Sequence, residues 1–160
     1  MSFDQVDFYY MGLALRLAET AERRKEVPVG VVLTSGGKIQ STSFNLRETH
    51  QHATSHAEIL ALNAASERLG SWRLGSCTIY ITLEPCLMCA GALIQSRINR
   101  IVYGAKDPKG GAFGSLYSLH EDDRLNHKPT VESGLMADPC GQILRDFFQR
   151  KRSTRQTPEL

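Results

Sequence analysis

Four residues of this 160-residue chain have the types and spacing to do chemistry together: His56 and Glu58 in "ATSHAEILAL", and Cys86 and Cys89 in "EPCLMCAGAL". Two cysteines three apart share one face of a helical turn, and the free N–H groups at a helix start favour their thiolates. In a reducing compartment a C-x-x-C fits a redox couple, half of a structural zinc site, or part of a catalytic zinc site. A thioredoxin-like redox motif follows the first strand of a small fold, and no such pattern surrounds this one. A structural site needs four closed ligands. Cys77 and Cys140 stand alone and read as buried core thiols, and His120 and His127 lie in a long connection without ligand spacing. His52 is four residues before His56, but the Thr54-Ser55 start signal leaves it in the loop ahead of the helix.

One histidine and two thiolates remain, each at a helix start. Three protein ligands leave a fourth tetrahedral position open for water, and a zinc ion brings the pKa of such a water from about 15.7 toward about 7. A proton carrier must then stand nearby. Residues i and i+2 do not share a helix face, so Glu58 is poorly placed as a second ligand beside His56 and better placed to handle the proton. A competing role uses the same letters: Ser55 with Glu58 three residues later is a capping-box pattern.

The elements that must position these residues are legible from periodicity. Apolar Val6, Tyr10, Leu13, Leu17 and Ala21 predict an amphipathic helix over residues ~5–24. "VPVGVVLTSGGKIQSTSF" predicts a hairpin turning at Gly36-Gly37. After the polar loop "NLRETHQHATS", Ala57, Leu60, Ala61, Ala64 and Ala65 give a flat helix face for a sheet, stopped at Gly70. "CTIYITL" and "RIVYGA" predict strands, with a helix between them that has Pro85 at its entrance, where proline's missing N–H costs nothing. A long Gly-containing connection precedes a fifth strand, "PTVESGL", and a last helix with Asp138 as N-cap and Pro139 at N1. Strands alternating with helices predict an α/β fold: a three-layer α/β/α sandwich, its central mixed five-stranded sheet covered by helices on both faces.

Length and a 41% hydrophobic content predict one domain over residues 1–160. "MSFDQVDFYYMGLALRLAET" lacks the basic start and unbroken apolar core of a signal peptide, and no segment nears the roughly 20 apolar residues of a membrane span. These features predict a cytoplasmic protein whose four cysteines are not a disulfide framework. Net charge is +2. From Arg145 onward five basic residues face two acidic ones, so the positive excess sits in the basic tail, about residues 150–160 at its end. Such a run is a solvated face or an arm for a phosphate backbone.

H-x-E followed some 30 residues later by P-C-x-x-C is the signature of zinc-dependent base deaminases. Together with "FNLRE", "GSWRL", "TLEPCLMCAGALIQSRINRIVYGAKDPKGGAFGSL" and "NHKPTVESGL", it makes the chain resemble the cytidine deaminase superfamily and, within it, the bacterial tRNA adenosine deaminases. The resemblance runs from about Glu26 to Arg152 and implies hydrolytic conversion of adenosine to inosine at the wobble position of a tRNA anticodon stem-loop. It implies one Zn2+ per subunit on His56, Cys86 and Cys89, Glu58 carrying protons to the ring and the leaving ammonia, and a homodimer. It also implies that Asn45 bonds the nucleoside and that the carbonyl of Pro85 or Glu84 positions the reacting groups. Asp107 and Lys109 would touch the anticodon backbone, and Phe147, Phe148 and Arg150 would cover neighbouring nucleotides, with core packing the alternative for either phenylalanine. One departure is Ser55, where relatives of this type read P-T-A-H-A-E. Two other readings stay open: a deaminase of the same fold acting on a free base, nucleoside or nucleotide, and a zinc-stabilised binding module without catalysis.

Overall fold

The computed structural model describes residues 2–155. Helix α1 (Gln5–Arg23) leads into strands β1 (Gly30–Ser35) and β2 (Lys38–Phe44); a one-turn helix α2 (Arg47–His50) precedes α3 (Ala57–Leu69). Then follow β3 (Cys77–Leu83), α4 (Leu87–Gln95), β4 (Arg100–Ala105), β5 (Thr130–Ser133) and α5 (Ala137–Arg155). The strands form one sheet in the order β2-β1-β3-β4-β5. Its β2-β1 and β1-β3 pairings are antiparallel, and β3-β4 and β4-β5 are parallel.

Side chains alternate across a strand, and here both faces are apolar. Val31, Leu33, Ile79, Ile81, Ile101 and Tyr103 pack with α3 and α4. Val32, Tyr80 and Val102 point the other way, toward α1 and α5. The expected three-layer α/β/α sandwich with a mixed five-stranded sheet follows from that two-sided pattern. Gly36 and Gly37 turn the hairpin with φ of 57° and 71°, which glycine adopts at no steric cost. All four cysteines are free, and no helix among the described residues is long and apolar enough to cross a membrane.

Several boundaries and faces differ from expectation, each for a local reason. The buried face of α1 is Tyr10, Met11, Ala14, Ala18 and Ala21, whereas Val6 is 52% exposed. β1 passes so close beneath the helix that a Cβ on Gly30 would lie 1.9 Å from the Ala14 carbonyl oxygen. Small residues therefore face the sheet, and the larger Leu13 and Leu17 are pushed to its flank. On α3 the buried set is Ala57, Glu58, Ala61, Leu62 and Ala65; Ala64 faces solvent. Helix α4 begins at Leu87 after the Cys86 cap, and Pro85 stands at its entrance, immediately ahead of that cap. Helix α5 begins at Ala137, placing Asp138 and Pro139 inside its first turn, where a missing N–H is still harmless. It runs to Arg155; the last residues of the predicted basic tail, 156–160, lie outside the described residues.

The face beneath α1 also holds a buried ionic cluster. Asp7 accepts from Tyr80 Oη (2.8 Å) and from Arg100 Nη1 and Nη2 (2.7 and 3.0 Å), while Arg100 Nε donates to Glu132. One cluster thus ties α1 to β3, β4 and β5. The Arg100 guanidinium is the largest influence on the Asp7 carboxyl and holds it below its ordinary 3.8. A carboxylate depressed by folding contributes stability that is complete above its unfolded pKa and lost as pH falls through the folded value. Asp7→Asn removes the carboxylate that accepts from Tyr80 and Arg100 and turns an amide N–H toward one of those buried donors, and we expect a loss of roughly 2–4 kcal/mol at neutral pH in denaturant titration. The difference between the two proteins should start to shrink as pH falls below about 4, where the carboxyl of the unfolded chain takes up its proton, and should close only once pH has fallen through the lower value of the folded protein.

Candidate active site

His56 and Cys86 are both helix N-caps in extended conformation, with φ, ψ of −73°, 151° and −71°, 173°. Cys89 lies three residues into α4, fully buried. Strand β3 ends at Leu83 and turns through Glu84-Pro85 into α4, so the thiols sit at the carboxyl end of a central strand, where open α/β sheets bind ligands. The two cysteine sulfurs lie 3.6 and 3.5 Å from His56 Nδ1. These three donor atoms fall within 4.8 Å of one another and are the one group among the described residues with the composition and spacing to hold a metal ion.

The protons within the cluster follow from its packing. The hydrogen bond from Cys89, then that of His56, brings the Cys86 thiol down to about 4 against the cost of burial. Cys89 is pushed up by the Cys86 thiolate and by burial. A cation shared by both sulfurs would reverse that direction for Cys89, because coordinating thiols are deprotonated. Glu58, the second residue of α3, is 4% exposed. Burial is the largest influence on its carboxyl and pushes it up, outweighing its own backbone N–H, the charge on His56 and the Cys89 contact. A carboxyl that holds its proton closer to neutrality is suited to passing protons.

The capping box does not form. His56, not Ser55, is the N-cap of α3, and no side chain caps the helix. Ser55 instead pairs its hydroxyl with His50 Nδ1 at 3.0 Å, tying the preceding loop to the helix start. Glu58 is therefore free of a capping duty.

The cleft above these groups has a volume of about 120 Å³ and is lined by Val27, Val29, Asn45, Arg47, His56, Ala57, Glu58, Leu83, Glu84, Cys86 and Asp107. That is below the ~300–1,000 Å³ of drug-sized ligand sites, so it accepts a single ring system and leaves any longer substrate on the surface. Asn45, Glu84 and Asp107, all singled out in the sequence, thus line the same cleft as His56, Glu58 and Cys86. The Glu84 carboxylate, however, is fully occupied: it accepts from the N–H groups of Asp107 (2.9 Å), Phe113 (3.1 Å) and Ser115 (3.0 Å) and from the Ser115 hydroxyl. It holds the 107–115 loop, and Gly111 is required there because a Cβ would come within 2.2 Å of the carboxyl carbon. The Pro85 carbonyl accepts from Ala112 N–H at 2.9 Å, pinning the same loop.

Lys109, Phe147, Phe148 and Arg150 do not line the cleft. Phe147 is buried and Phe148 is 41% exposed, with rings edge-on at 5.3 Å. Arg150 pairs with Glu22 of α1. Arg47, Val27 and Val29 were not singled out in the sequence; the signal for Arg47 is its place two residues after Asn45, whose Oδ1 accepts its N–H at 3.2 Å.

The MafB19-like deaminase family matches residues 5–152, which defines the class: an α/β deaminase of the cytidine deaminase-like fold. The chain is 45% identical to the tRNA-specific adenosine deaminase of Bacillus subtilis (strain 168), over 94% of this chain and 93% of that one. It is 42% identical to the tRNA-specific adenosine deaminase of Haemophilus influenzae, over 95% and 88%. A solved structure from studies of A-to-I editing by tRNA:A34 deaminases at the wobble position of transfer RNA is 43% identical, with a TM-score of 0.83 over 85% of this chain and 99% of that one. The guanine deaminase from Nitrosomonas europaea is 23% identical, with a TM-score of 0.71 over 88% and 83%, and shares the fold alone. The chain belongs to the tRNA-specific adenosine deaminase family.

Proposed function

We propose that the protein deaminates adenosine to inosine at the wobble position of a tRNA anticodon stem-loop, as one domain over residues 1–160 and with one zinc ion per subunit. The observation that carries this reading is the convergence of His56, Cys86 and Cys89 beside the buried carboxyl of Glu58, in a cleft sized for one base, in a chain of this family. The donor set suits zinc by softness and by spacing. Zn–S bonds of about 2.3 Å and Zn–N bonds of about 2.0 Å at tetrahedral angles put sulfur and nitrogen about 3.5 Å apart, matching the 3.5 and 3.6 Å separations here.

When bound, the ion supplies Lewis-acid activation of water, lowering its pKa toward about 7. Glu58 takes the proton that the attacking water loses as its oxygen bonds C6, and gives it to the adjacent ring nitrogen. A second proton passes through Glu58 to the amino group, the C6–N bond breaks, and ammonia leaves. Asn45 keeps an amide hydrogen and an oxygen lone pair with which to bond the nucleoside. Asp107 lines the cleft and also accepts the Lys109 N–H at 3.0 Å; as an anion it suits a sugar hydroxyl or base amine, leaving phosphate to the Lys109 side chain. Exposed Phe148 offers a stacking surface and Arg150 a cation for neighbouring nucleotides, whereas Phe147 supports them from beneath. A homodimer is supported by Leu87 and Met88, large apolar side chains exposed beside the site on α4.

The test offers the holoenzyme a stem-loop with adenosine at the wobble position, the same loop with that adenosine moved by one position, and free adenosine, cytidine and guanine. Inosine at the wobble position alone is the expected product. Turnover of a free base or nucleoside, with none of the loop, would replace this reading with that of a small-molecule deaminase.

A further inference from the structure

Glu26 has no exposed surface and no part in the chemistry above. Its carboxylate accepts from the Glu48 N–H (3.1 Å), the Thr49 N–H (2.6 Å) and the Thr49 hydroxyl (2.8 Å), gripping α2 near its start. Burial pushes its pKa up, yet the Thr49 and Glu48 donors and the Arg47 charge together hold it below the usual value, so the buried group is an anion.

The neighbouring backbone grips the other side of the same segment. The Val27 carbonyl accepts from Asn45 Nδ2 at 3.2 Å, and the Asn45 N–H donates to the Val29 carbonyl at 3.1 Å. Asn45 Oδ1 accepts the Arg47 N–H at 3.2 Å. Two cleft-lining residues, Asn45 and Arg47, are therefore held between Val27-Val29 on one side and the Glu26 carboxylate on the other.

The chain accepts a cost to put Glu26 there. Helix α1 ends in a Schellman motif, with Lys25 N–H on the Glu22 carbonyl (2.9 Å) and Glu26 N–H on the Ala21 carbonyl (3.0 Å). The residue at its left-handed position is Lys25, φ 62°, where glycine is favoured.

Resting on the deaminase reading above, we propose that Glu26 is a positioning residue for substrate binding: its buried carboxylate fixes the 45–49 segment so that Asn45 and Arg47 meet the nucleoside in one arrangement. It acts on KM through Asn45 and leaves the chemistry at Glu58 alone. Glu26→Gln keeps the shape but turns an amide N–H toward a backbone donor, leaving that donor unmet in a buried place.

The expected result is a KM for the wobble-adenosine stem-loop raised about tenfold, with kcat within about threefold of wild type and zinc content unchanged. In an Asn45→Ala background Glu26→Gln should add little to KM, because the two act as a unit. Lys25→Gly, which relieves the left-handed residue and keeps Glu26, should leave KM unchanged. Amide hydrogen exchange reads the clamp without activity: Glu48 and Thr49 should lose protection in Glu26→Gln. Independent, additive effects of Glu26→Gln and Asn45→Ala, or a fall in kcat at unchanged KM, would overturn the proposal. So would unchanged protection at Glu48 and Thr49, and so would a variant that fails to fold, provided Thr49→Val, which removes one of the three bonds, leaves KM at the wild-type value. A wild-type protein inert on the stem-loop would instead defeat the function proposed above, and hydrogen exchange would still decide whether the clamp exists.

Discussion

Glu58→Gln is expected to fold, to bind one zinc ion per chain, and to deaminate a wobble-adenosine stem-loop roughly a thousandfold more slowly than wild type, within the 10²–10⁴ range of a lost proton carrier. The separation rests on position. His56 caps α3 without any side-chain bond, so the helix start does not depend on Glu58. The three atoms placed to hold a metal ion belong to His56, Cys86 and Cys89. Burial pushes the Glu58 carboxyl up, so ionised Glu58 costs the fold something and a neutral amide of the same size does not. Stability by thermal melting should therefore be at least that of wild type at neutral pH. Activity that survives the substitution would remove Glu58 from the reaction, and loss of bound zinc would place it in the metal's coordination.

Removal of the metal is expected to have the second large effect. Chelation should take deamination to background and lower thermal stability by about 3 kcal/mol or more, since an ion present at a hundred times its dissociation constant contributes about that to the folded state. Added zinc should restore both. Cys89→Ser should behave as a permanent version of the chelated protein, because its sulfur is fully buried on α4 and a hydroxyl is a far weaker zinc ligand. Full activity with no metal by elemental analysis would contradict the account.

How much of this was legible in the sequence differs by feature. The hairpin, the β3 and β4 strands and the four-residue constellation were all readable, because each rests on local spacing: a glycine pair in a two-residue turn, continuous apolar runs, a C-x-x-C at a helix start. Burial faces were less so. Val6 and Leu13 fit a helical stripe as well as Met11 and Ala14 do, and the choice is made by Gly30, a residue on another element that brings the sheet against α1. The Ser55–Glu58 pattern failed because His56 takes the cap and Ser55 pairs with His50, a contact that depends on how the preceding loop folds back.

The walls of the cleft were the least legible. Glu26 reads in sequence as an ordinary charged residue, and Glu84 is singled out there for its carbonyl and not for its carboxylate, because charged side chains are seldom fully buried. Each is buried because it gathers N–H groups from a segment more than 20 residues away, Glu48 and Thr49 in one case and Asp107, Phe113 and Ser115 in the other. No periodicity encodes such a bond. The side chains that converge could thus be named from the chain alone, whereas the residues that hold their surroundings in place required the fold.

The most direct test follows the oxygen. The zinc-loaded protein is given the wobble-adenosine stem-loop in heavy-oxygen water, and the product nucleoside and released ammonia are counted. The account predicts inosine at the wobble position carrying one solvent oxygen, with one ammonia released for each inosine formed, and product from Glu58→Gln at only about a thousandth of the wild-type rate under the same conditions. Wobble inosine without solvent oxygen, or none formed while a free base or nucleoside is consumed, would contradict it.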